Sequence, residues 1–387
     1  NNPLFVSQPD FNAAPTNTGN LRLQPCSPAV NAGTNGTFTN ADKDLDGNAR
    51  IVNTTVDLGA YEAPAAAVFH VKPTGSDANN GLSWNTAFRT LQKALESAFS
   101  GTSIWVASGT YYPDEGGAFS DNDRYSHFTM KNGVAIYGGF PATGNPTMID
   151  RNWVNNPTIL SGEIQQDNAI SNNTYNIIYN FYNNLDATSL LDGFTVSGGY
   201  ANGSDYRTLH GGGVHNRNTA PAFQNCTFSG NRAIAHGGGM YNEESSPTLI
   251  NCSFQANEAR VGGGMLNDNV PPFTLTNCSF SGNKARQGGG IYTTFIYSLN
   301  LINCSFSANQ AETGGALYNT HTSSLTNCIV WGNSNPQVSN PGGVHVYSHC
   351  LIEGLNPPGV GNLDGTQPDN NPLFVSQPDF NAAPTNT

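Results

Sequence analysis

The feature that most constrains the fold is an internal repeat between residues 221 and 333. The copies are NCTFSGNRAIAHGGGMYN from Asn225, NCSFQANEARVGGGMLN from Asn251, NCSFSGNKARQGGGIYT from Asn277, NCSFSANQAETGGALYN from Asn303 and a shortened NCIVWGN from Asn327. Successive copies begin 26, 26, 26 and 24 residues apart. This period is too short for a propeller blade and is typical of one coil of a solenoid.

The residue pattern inside each copy predicts short strands rather than helices. Cys226-Thr227-Phe228 alternates apolar and polar residues, as a strand with one buried face does. Gly237–Gly239 indicates a tight bend before a second short strand, and Leu249-Ile250 extends the chain before the next Asn-Cys. Coils of short, parallel strands predict an all-β fold, the right-handed parallel β-helix, whose hand follows from the preference of β-crossover-β connections.

Stacked coils place equivalent residues directly above one another, about 4.8 Å apart. The predicted columns are a buried sulfur ladder of Cys226, Cys252, Cys278, Cys304, Cys328 and Cys350, an aromatic stack of Phe228, Phe254, Phe280 and Phe306 continued by Val330 and Ile352, and turn amides at Asn231, Asn257, Asn283, Asn309 and Asn333. Because side chains in such a ladder point in parallel, the cysteines are expected to be buried, reduced fillers rather than disulfides.

The residue pattern before the repeats is different. Residues 87–99 predict a helix with Phe88, Leu91 and Leu95 on one face, and Thr86 as its cap. Since the first coil of a solenoid exposes its core and an unpaired edge, this helix is expected to be an N-terminal cap. The stretches 112–127 and 200–209 are predicted to be loops that project from the coil.

Several further strings are distinctive: VKPTGSDANNGLSW from Val71, IWVASGTY from Ile104, YGGF from Tyr137, ILSG from Ile159, SPAVNAG from Ser27 and DLDGNARIVNTTVDLGAYE from Asp44. They resemble the β-helix domains of the bacterial surface proteins grouped as choice-of-anchor Q, and the repeats also resemble chlamydial polymorphic outer-membrane proteins. The resemblance implies large secreted or surface-anchored proteins with structural or adhesive roles, often exported by a type IX system. It carries no catalytic residues to this chain.

The two ends of the chain are identical: residues 1–18 and 370–387 share NNPLFVSQPDFNAAPTNT at a shift of 369. The strings that close such domains in the resembling proteins come first here. Residues 1–63 are therefore predicted to be the C-terminal rungs of a preceding tandem repeat. Residues 64–67 form a short linker, and residues 68–387 form the capping helix and β-helix of the next repeat, with a natural period of 369 residues.

Composition narrows the functional classes. Charged residues make up 11% of the chain and the formal net charge is -12. The net negative charge argues against nucleic acid, whose binders show basic patches, and no apolar run is long enough to span a bilayer. A polar, Gly-rich, weakly charged chain is typical of extracellular or bacterial cell-surface proteins.

An enzymatic alternative is provided by parallel β-helices that cleave polysaccharides with clustered carboxylates and a basic residue. The candidates are Asp121, Asp123, Arg124, Asp205, Arg207 and Glu243, with His210 and His236 before adjacent glycine runs. Solvated turns and structural histidines are the favoured explanation of these residues. The convergence of Asp121, Asp123, Asp205, Arg207 and Glu243 in one cleft would favour the enzyme.

A metal-binding pattern occurs once. Asp42, Asp44, Asp46 and Asn48 have the D-x-D-x-D-G spacing in which alternate oxygens converge on Ca²⁺ around a Gly turn. The acidic residue expected at the twelfth position is Asn53, which argues against a full EF-hand. The sequence leaves two alternatives, a calcium ion that rigidifies the junction between domains and an acidic surface turn.

Together these patterns predict a non-enzymatic tandem segment of a giant surface protein, forming a stalk, filament or adhesin shaft. The expected partners are neighbouring repeats, other copies in a fibre bundle, and glycans or prey or host cells, with no nucleic acid and no membrane span in this segment. The alternative function is a carbohydrate-binding or polysaccharide-cleaving β-helix that uses the loops 112–127 and 200–209.

Overall fold

The computed structural model describes residues 5–7, 19–23, 29, 32–39, 41–51, 55–62, 67–295 and 298–375. Strands β1 (Phe5–Ser7) and β2 (Asn20–Leu23) form an antiparallel pair. From residue 68 onward, the described chain coils through three long sheets and one short sheet in which neighbouring strands are parallel. This arrangement confirms the predicted all-β parallel β-helix.

The strands of each sheet stack in chain order. Sheet A contains β3 (Val68–Val71), β4 (Ser103–Ala107), β6 (Ala135–Phe140), β9 (Leu190–Asp192), β13 (Ala222–Gln224), β17 (Thr248–Ile250), β21 (Phe273–Thr276), β24 (Leu299–Ile302), β27 (Ser323–Thr326) and β30 (His345–Ser348). Sheet B contains β5 (Gly109–Tyr111), β7 (Thr158–Ser161), β10 (Thr195–Ser197), β14 (Thr227–Ser229), β18 (Ser253–Gln255), β22 (Ser279–Ser281), β25 (Ser305–Ser307), β28 (Ile329–Trp331) and β31 (Leu351–Ile352).

The other two sheets are shorter. Sheet C contains β8 (Ile178–Phe181), β12 (Val214–Arg217), β16 (Met240–Glu243), β20 (Met265–Asp268), β23 (Ile291–Thr294), β26 (Leu317–Asn319) and β29 (Val338–Ser339). Sheet D contains β11 (Tyr200–Ala201), β15 (Arg232–His236) and β19 (Glu258–Val261). At about 4.8 Å per strand, sheet A runs roughly 45 Å along the helix axis.

The predicted apolar columns form the core. Phe228, Phe254 and Phe280 stack with ring centroids 4.7 Å apart, and Phe306 follows at 5.0 Å. The register pairs Phe306 with Val330 and Val330 with Ile352, as predicted. The predicted ladder cysteines, Cys226, Cys252, Cys278, Cys304, Cys328 and Cys350, are buried and free. Each sulfur contacts backbone carbonyls, as Cys278 does at Thr276 and Leu249.

Stacked asparagine amides line the interior beside this core. In the predicted column, the Asn257 amide donates to Asn283 Oδ1 at 3.0 Å and the Asn283 amide donates to Asn309 Oδ1 at 2.8 Å. Each amide also bonds a backbone carbonyl of the preceding rung, which satisfies polar groups that burial would otherwise penalise. Sheet C carries a second interior ladder, which the sequence analysis did not predict; it consists of Asn180, Asn216, Asn242 and Asn267.

The N-terminal cap is present, but its helix is shorter than predicted. The described residues contain one α-helix, α1 (Leu91–Ser97), instead of a helix over 87–99. Phe88 is extended and bridges to Val71, while the side chain of Thr90, rather than Thr86, accepts from Lys93 N at the helix start. Leu91 and Leu95 are buried in the core that the first rungs form, so α1 covers the open end of the solenoid.

The described parts of residues 1–63 consist of turns and short antiparallel pairings, including β1–β2 and the bridge between Lys43 and Ala49. The division into residues 1–63, 64–67 and 68–387 therefore stays a prediction, and Cys26, Asn53 and residues 376–387 lie outside the described residues. In the part of the chain that is described, no helix has both the length and the apolar character needed to cross a bilayer.

Candidate functional site

The acidic loop that carries the calcium pattern is a compact turn around Asp44. The Asp44 carboxylate accepts backbone amides from Asp46 at 3.0 Å, Asn48 at 2.7 Å and Glu62 at 3.0 Å. Burial alone would raise the pKa of Asp44, but these hydrogen bonds outweigh burial and lower the pKa below its usual value.

The other two carboxylates of this loop bind protein groups of their own. Asp42 accepts from Thr39 N at 2.7 Å and from Thr39 Oγ1 at 2.9 Å, whereas Asp46 forms an ion pair with Arg22. Among the described residues, no three His, Cys, Asp or Glu side chains group in a way that could hold a metal ion. Calcium at Asp42, Asp44, Asp46 and Asn48 stays a prediction.

The loops 112–127 and 200–209 meet on the outer face of sheet C, and the meeting point is Tyr125. Its hydroxyl donates to Asp205 Oδ2 at 3.0 Å, and its carbonyl oxygen accepts from Arg207 Nη2 at 2.9 Å. Arg207 also contacts His127 Nδ1 at 2.7 Å and lies 4.3 Å above the Tyr179 ring. These contacts bring two segments that are about 80 residues apart in sequence onto the same rungs.

The predicted acidic candidates are only partly brought together. Asp123 accepts from Tyr125 N at 2.9 Å and Asp205 accepts from Thr208 N at 3.0 Å, so both carboxylates stabilise their own turns. Asp121 is exposed. Glu243 lies on sheet C, where it pairs with Arg217 at 3.1 Å.

Arg124 holds the two loops to the coil instead of facing solvent. Its guanidinium donates to the carbonyl of Asn173 at 2.6 Å and to Asn202 Oδ1 at 2.5 Å, and it lies 4.1 Å from the Tyr175 ring. Burial lowers the pKa of Arg124, though nearby tyrosines oppose the effect. Arg124 and Arg207 therefore act as structural ties in this geometry.

The histidines form a stack across sheet C that includes a member the sequence analysis missed. The predicted His210 and His236 have ring centroids 4.7 Å apart, and the missed His215 lies 6.3 Å from His210 beneath the Tyr241 ring. Burial, and then the neighbouring His236, lower the pKa of His210 to about 3. Burial, and then His210, lower the pKa of His215 to about 3. Such imidazoles are neutral at pH 7 and weakly basic, so they suit packing better than proton transfer.

A second group of aromatic residues next to this stack stays exposed. Phe181, Tyr182 and Tyr206 surround the Arg217 guanidinium, whose central carbon lies 5.5, 5.6 and 5.3 Å from the three ring centroids. We call Phe181, Tyr182, Tyr206 and Arg217 the aromatic face. The sequence analysis missed this group, although the adjacent aromatic residues Phe181-Tyr182 were a signal for it.

Comparisons with solved structures find similar folds at low identity. The crystal structure of pectate lyase Pel9A is 14% identical, covers 76% of this chain and 72% of its own, and has a TM-score of 0.47. A pectin methylesterase from Aspergillus niger is 14% identical over 79% of this chain and 88% of its own, with a TM-score of 0.41. A rhamnogalacturonan lyase is 14% identical over 74% and 68%, with a TM-score of 0.34. At these values the similarity concerns the fold alone.

Family models give a firmer result, while no curated protein matches the chain. A model described as "Right handed beta helix region" matches residues 186–356, which agrees with the predicted hand of the coil. A second model matches residues 73–270, more than half of the chain. The chain therefore belongs to the family described as "Protein of unknown function (DUF1565)", and its fold is a right-handed parallel β-helix.

Proposed function

We propose that the chain is a structural or adhesive segment of a giant extracellular or cell-surface bacterial protein of the choice-of-anchor Q type. In this role it forms part of a stalk, filament or adhesin shaft and has no enzymatic activity. Its partners are neighbouring repeats of the same chain and other copies in a bundle. Glycans or cell surfaces bind at the tip or along the side.

The observation that carries this proposal is the continuity of the interior ladders. Asn231, Asn257, Asn283, Asn309 and Asn333 bond each other from rung to rung, with donor–acceptor distances of 2.8–3.1 Å. The phenylalanine stack runs beside them with ring centroids 4.7–5.0 Å apart. Rungs joined by side-chain hydrogen bonds as well as by sheet pairing resist bending and local opening, which is what a shaft requires.

The repeated 18-residue string supports the same role. In a tandem chain with a period of 369 residues, the segment after residue 369 continues with the sequence of residues 1–63. The first strand of the next period, the equivalent of β3, then follows a four-residue linker. So short a linker leaves little freedom between successive β-helices, and the proposal therefore requires consecutive periods to form one stiff body.

Electron microscopy of a two-period chain tests this proposal. Appending residues 19–387 after Thr387 keeps the natural register, because residues 370–387 repeat residues 1–18. We expect single straight rods. A control with a flexible Gly/Ser insertion after the second copy of residue 63, one 369-residue period after the first, should bend at its middle. Hinged pairs in the uninterrupted chain would rule out a stiff shaft.

A calcium ion at Asp42, Asp44, Asp46 and Asn48 is compatible with this role, since it would stiffen the region just before the linker. To bind the ion, Asp46 would have to give up its ion pair with Arg22. Isothermal titration with Ca²⁺ tests whether the ion binds at this loop, and Asp42→Asn is expected to lose the binding. Heat of binding that survives in Asp42→Asn would place the ion elsewhere.

The second candidate function, carbohydrate binding or cleavage, is favoured by one observation. The loops 112–127 and 200–209 converge around Tyr125, next to the exposed rings of the aromatic face. Cleavage and binding make different demands on these residues. Incubation with soluble polysaccharides, followed by a reducing-end assay, separates a cleaving enzyme from a protein that only binds.

A further inference from the structure

Three aromatic side chains of sheet C and its covering loop remain nearly half exposed. The exposed fractions are 45% for Phe181, 48% for Tyr182 and 47% for Tyr206. Tyr241, on the same outer face, is 1% exposed because Tyr206 and His210 cover it. The loop 200–209 therefore buries one aromatic side chain while it presents another, and the exposed rings form one connected surface around Arg217.

Tyr182 adopts a backbone conformation that tyrosine residues rarely adopt. Tyr182 has φ 47°, in the left-handed region that bulky residues avoid. The same turn position on the next rung is occupied by Asn218 at φ 50°, a residue type that tolerates this conformation. The same left-handed backbone recurs at this turn on later rungs, as at Phe295, so the turn belongs to the fold. The fold accepts an asparagine there, and the exposed Tyr182 ring, which packs against Phe181 and Arg217, is therefore available to a ligand.

The electrostatics of the aromatic face define what it can hold. Arg217 is paired with Glu243 at 3.1 Å, so its positive charge is balanced within the site. The whole chain carries a formal net charge of -12, which repels polyanions. Flat apolar rings with tyrosine hydroxyls and a neutralised ion pair at their edge match a ligand with apolar C–H faces and hydroxyl groups, without charge.

We propose that the aromatic face binds a neutral polysaccharide, whose sugar rings stack on Phe181, Tyr182 and Tyr206 while Arg217 and Glu243 hydrogen-bond its hydroxyls. The site binds without cleaving. This inference deepens the adhesive role proposed above by naming its partner. It does not depend on the stiffness of the shaft, because the aromatic face lies within a single period.

A matched pair of variants tests the site. Tyr182→Asn removes one ring and supplies the residue type found at the same turn of the next rung. Phe295→Asn makes the corresponding change at Phe295, which has φ 51° and is 67% exposed at the same turn position three rungs beyond Asn218. Both changes relieve backbone strain, so neither is expected to lower the melting temperature. Isothermal titration uses cellohexaose, mannohexaose and galactohexaose as neutral probes and hexagalacturonate as the anionic one.

We expect at least one neutral hexaose to bind the unmodified chain and to bind Tyr182→Asn at least tenfold more weakly. Its affinity for Phe295→Asn should stay within twofold. Three results would overturn the proposal: no neutral hexaose binds, only hexagalacturonate binds, or Tyr182→Asn binds as tightly as the unmodified chain. Straight rods in electron microscopy combined with any of these results would leave the shaft intact and remove the glycan site alone.

Discussion

The amide nitrogen of Asn257 donates to Asn283 Oδ1 of the next rung at 3.0 Å, and both side chains are fully buried. Asn283 in turn donates to the carbonyl of Phe254 at 2.9 Å and to Asn309 Oδ1 at 2.8 Å. One asparagine side chain thus forms hydrogen bonds with both the preceding rung and the following rung. Each rung depends on its neighbour for polar satisfaction as well as for apolar contact.

Asn283→Ala is expected to lower the free energy of unfolding by about 2–4 kcal/mol, because it leaves buried partners on two rungs unsatisfied. Urea unfolding followed by circular dichroism measures the change. Asn300→Ala, on the half-buried outer position of β24, is the matched control and should stay within about 0.5 kcal/mol of the parent chain. Equal losses in the two variants would mean that the ladder adds no stability of its own.

A second prediction concerns the buried ion pair of Arg151 and Asp192. Each side chain is 9% exposed, and Arg151 Nη2 lies 2.6 Å from Asp192 Oδ1. The same oxygen accepts a hydrogen bond from the Asn225 amide. Asp192→Ala leaves the guanidinium buried and unpaired, so we expect a loss of about 3–5 kcal/mol in urea unfolding.

The pair of Arg286 and Glu312 is the control for that measurement. Its side chains are 61% and 70% exposed, and the distance is 3.1 Å. Glu312→Ala should lower the unfolding free energy by less than about 1 kcal/mol, since exposed pairs are screened by solvent. If the two substitutions destabilise alike, burial does not set the strength of these pairs.

Much of the fold could be predicted because each copy of the repeat carries the same residue pattern. The asparagine at 231, 257, 283, 309 and 333 recurs at a fixed place in each copy, and its column formed as predicted. The ladder of Asn216, Asn242 and Asn267 follows the glycine runs just as regularly, so its signal was present and was not used. The start of α1 could not be placed, because the bridge from Phe88 to Val71 is a tertiary contact that overrides the helical pattern.

The candidate site was harder to predict, because its residues do not recur. Tyr125 and Asp205 come from two loops, and only the coil brings them within 3.0 Å. Tyr206 and Phe181 likewise meet around Arg217 through the folding of a loop over sheet C. Periodicity identifies columns of equivalent residues, whereas a site built from single insertions leaves no period in the sequence.

The ladder thiols give a chemical prediction. A hydrogen bond with Cys252 and burial raise the pKa of Cys278 to about 12. Because the thiolate is the reactive form, Cys278 should resist iodoacetamide in the native chain at pH 8 and react fully in urea. Peptide mass spectrometry reads the six described cysteines separately. Labelling of Cys278 in the native state would show that the rungs open locally.

The last prediction is a loss of stability in mild acid. Burial and then Arg207 lower the pKa of His127 to about 4, whereas His210 and His215 reach about 3. In the unfolded chain these imidazoles bind a proton near pH 6.5, so below that pH the unfolded state binds more protons than the folded state. Stability is therefore complete above about pH 6.5 and falls as the pH drops toward 4.

Urea unfolding between pH 7 and pH 5 measures this loss before most carboxyl groups titrate. Each histidine that stays neutral should lower the unfolding free energy by up to about 1.4 kcal/mol per pH unit. Arg207 and Arg217 both disfavour a charged His215. His215→Phe keeps a ring beneath Tyr241 but has no imidazole to protonate, so it should flatten the slope. His321→Gln, at an exposed position, is the control variant. A slope that His215→Phe does not reduce would assign the acid sensitivity to groups other than His215.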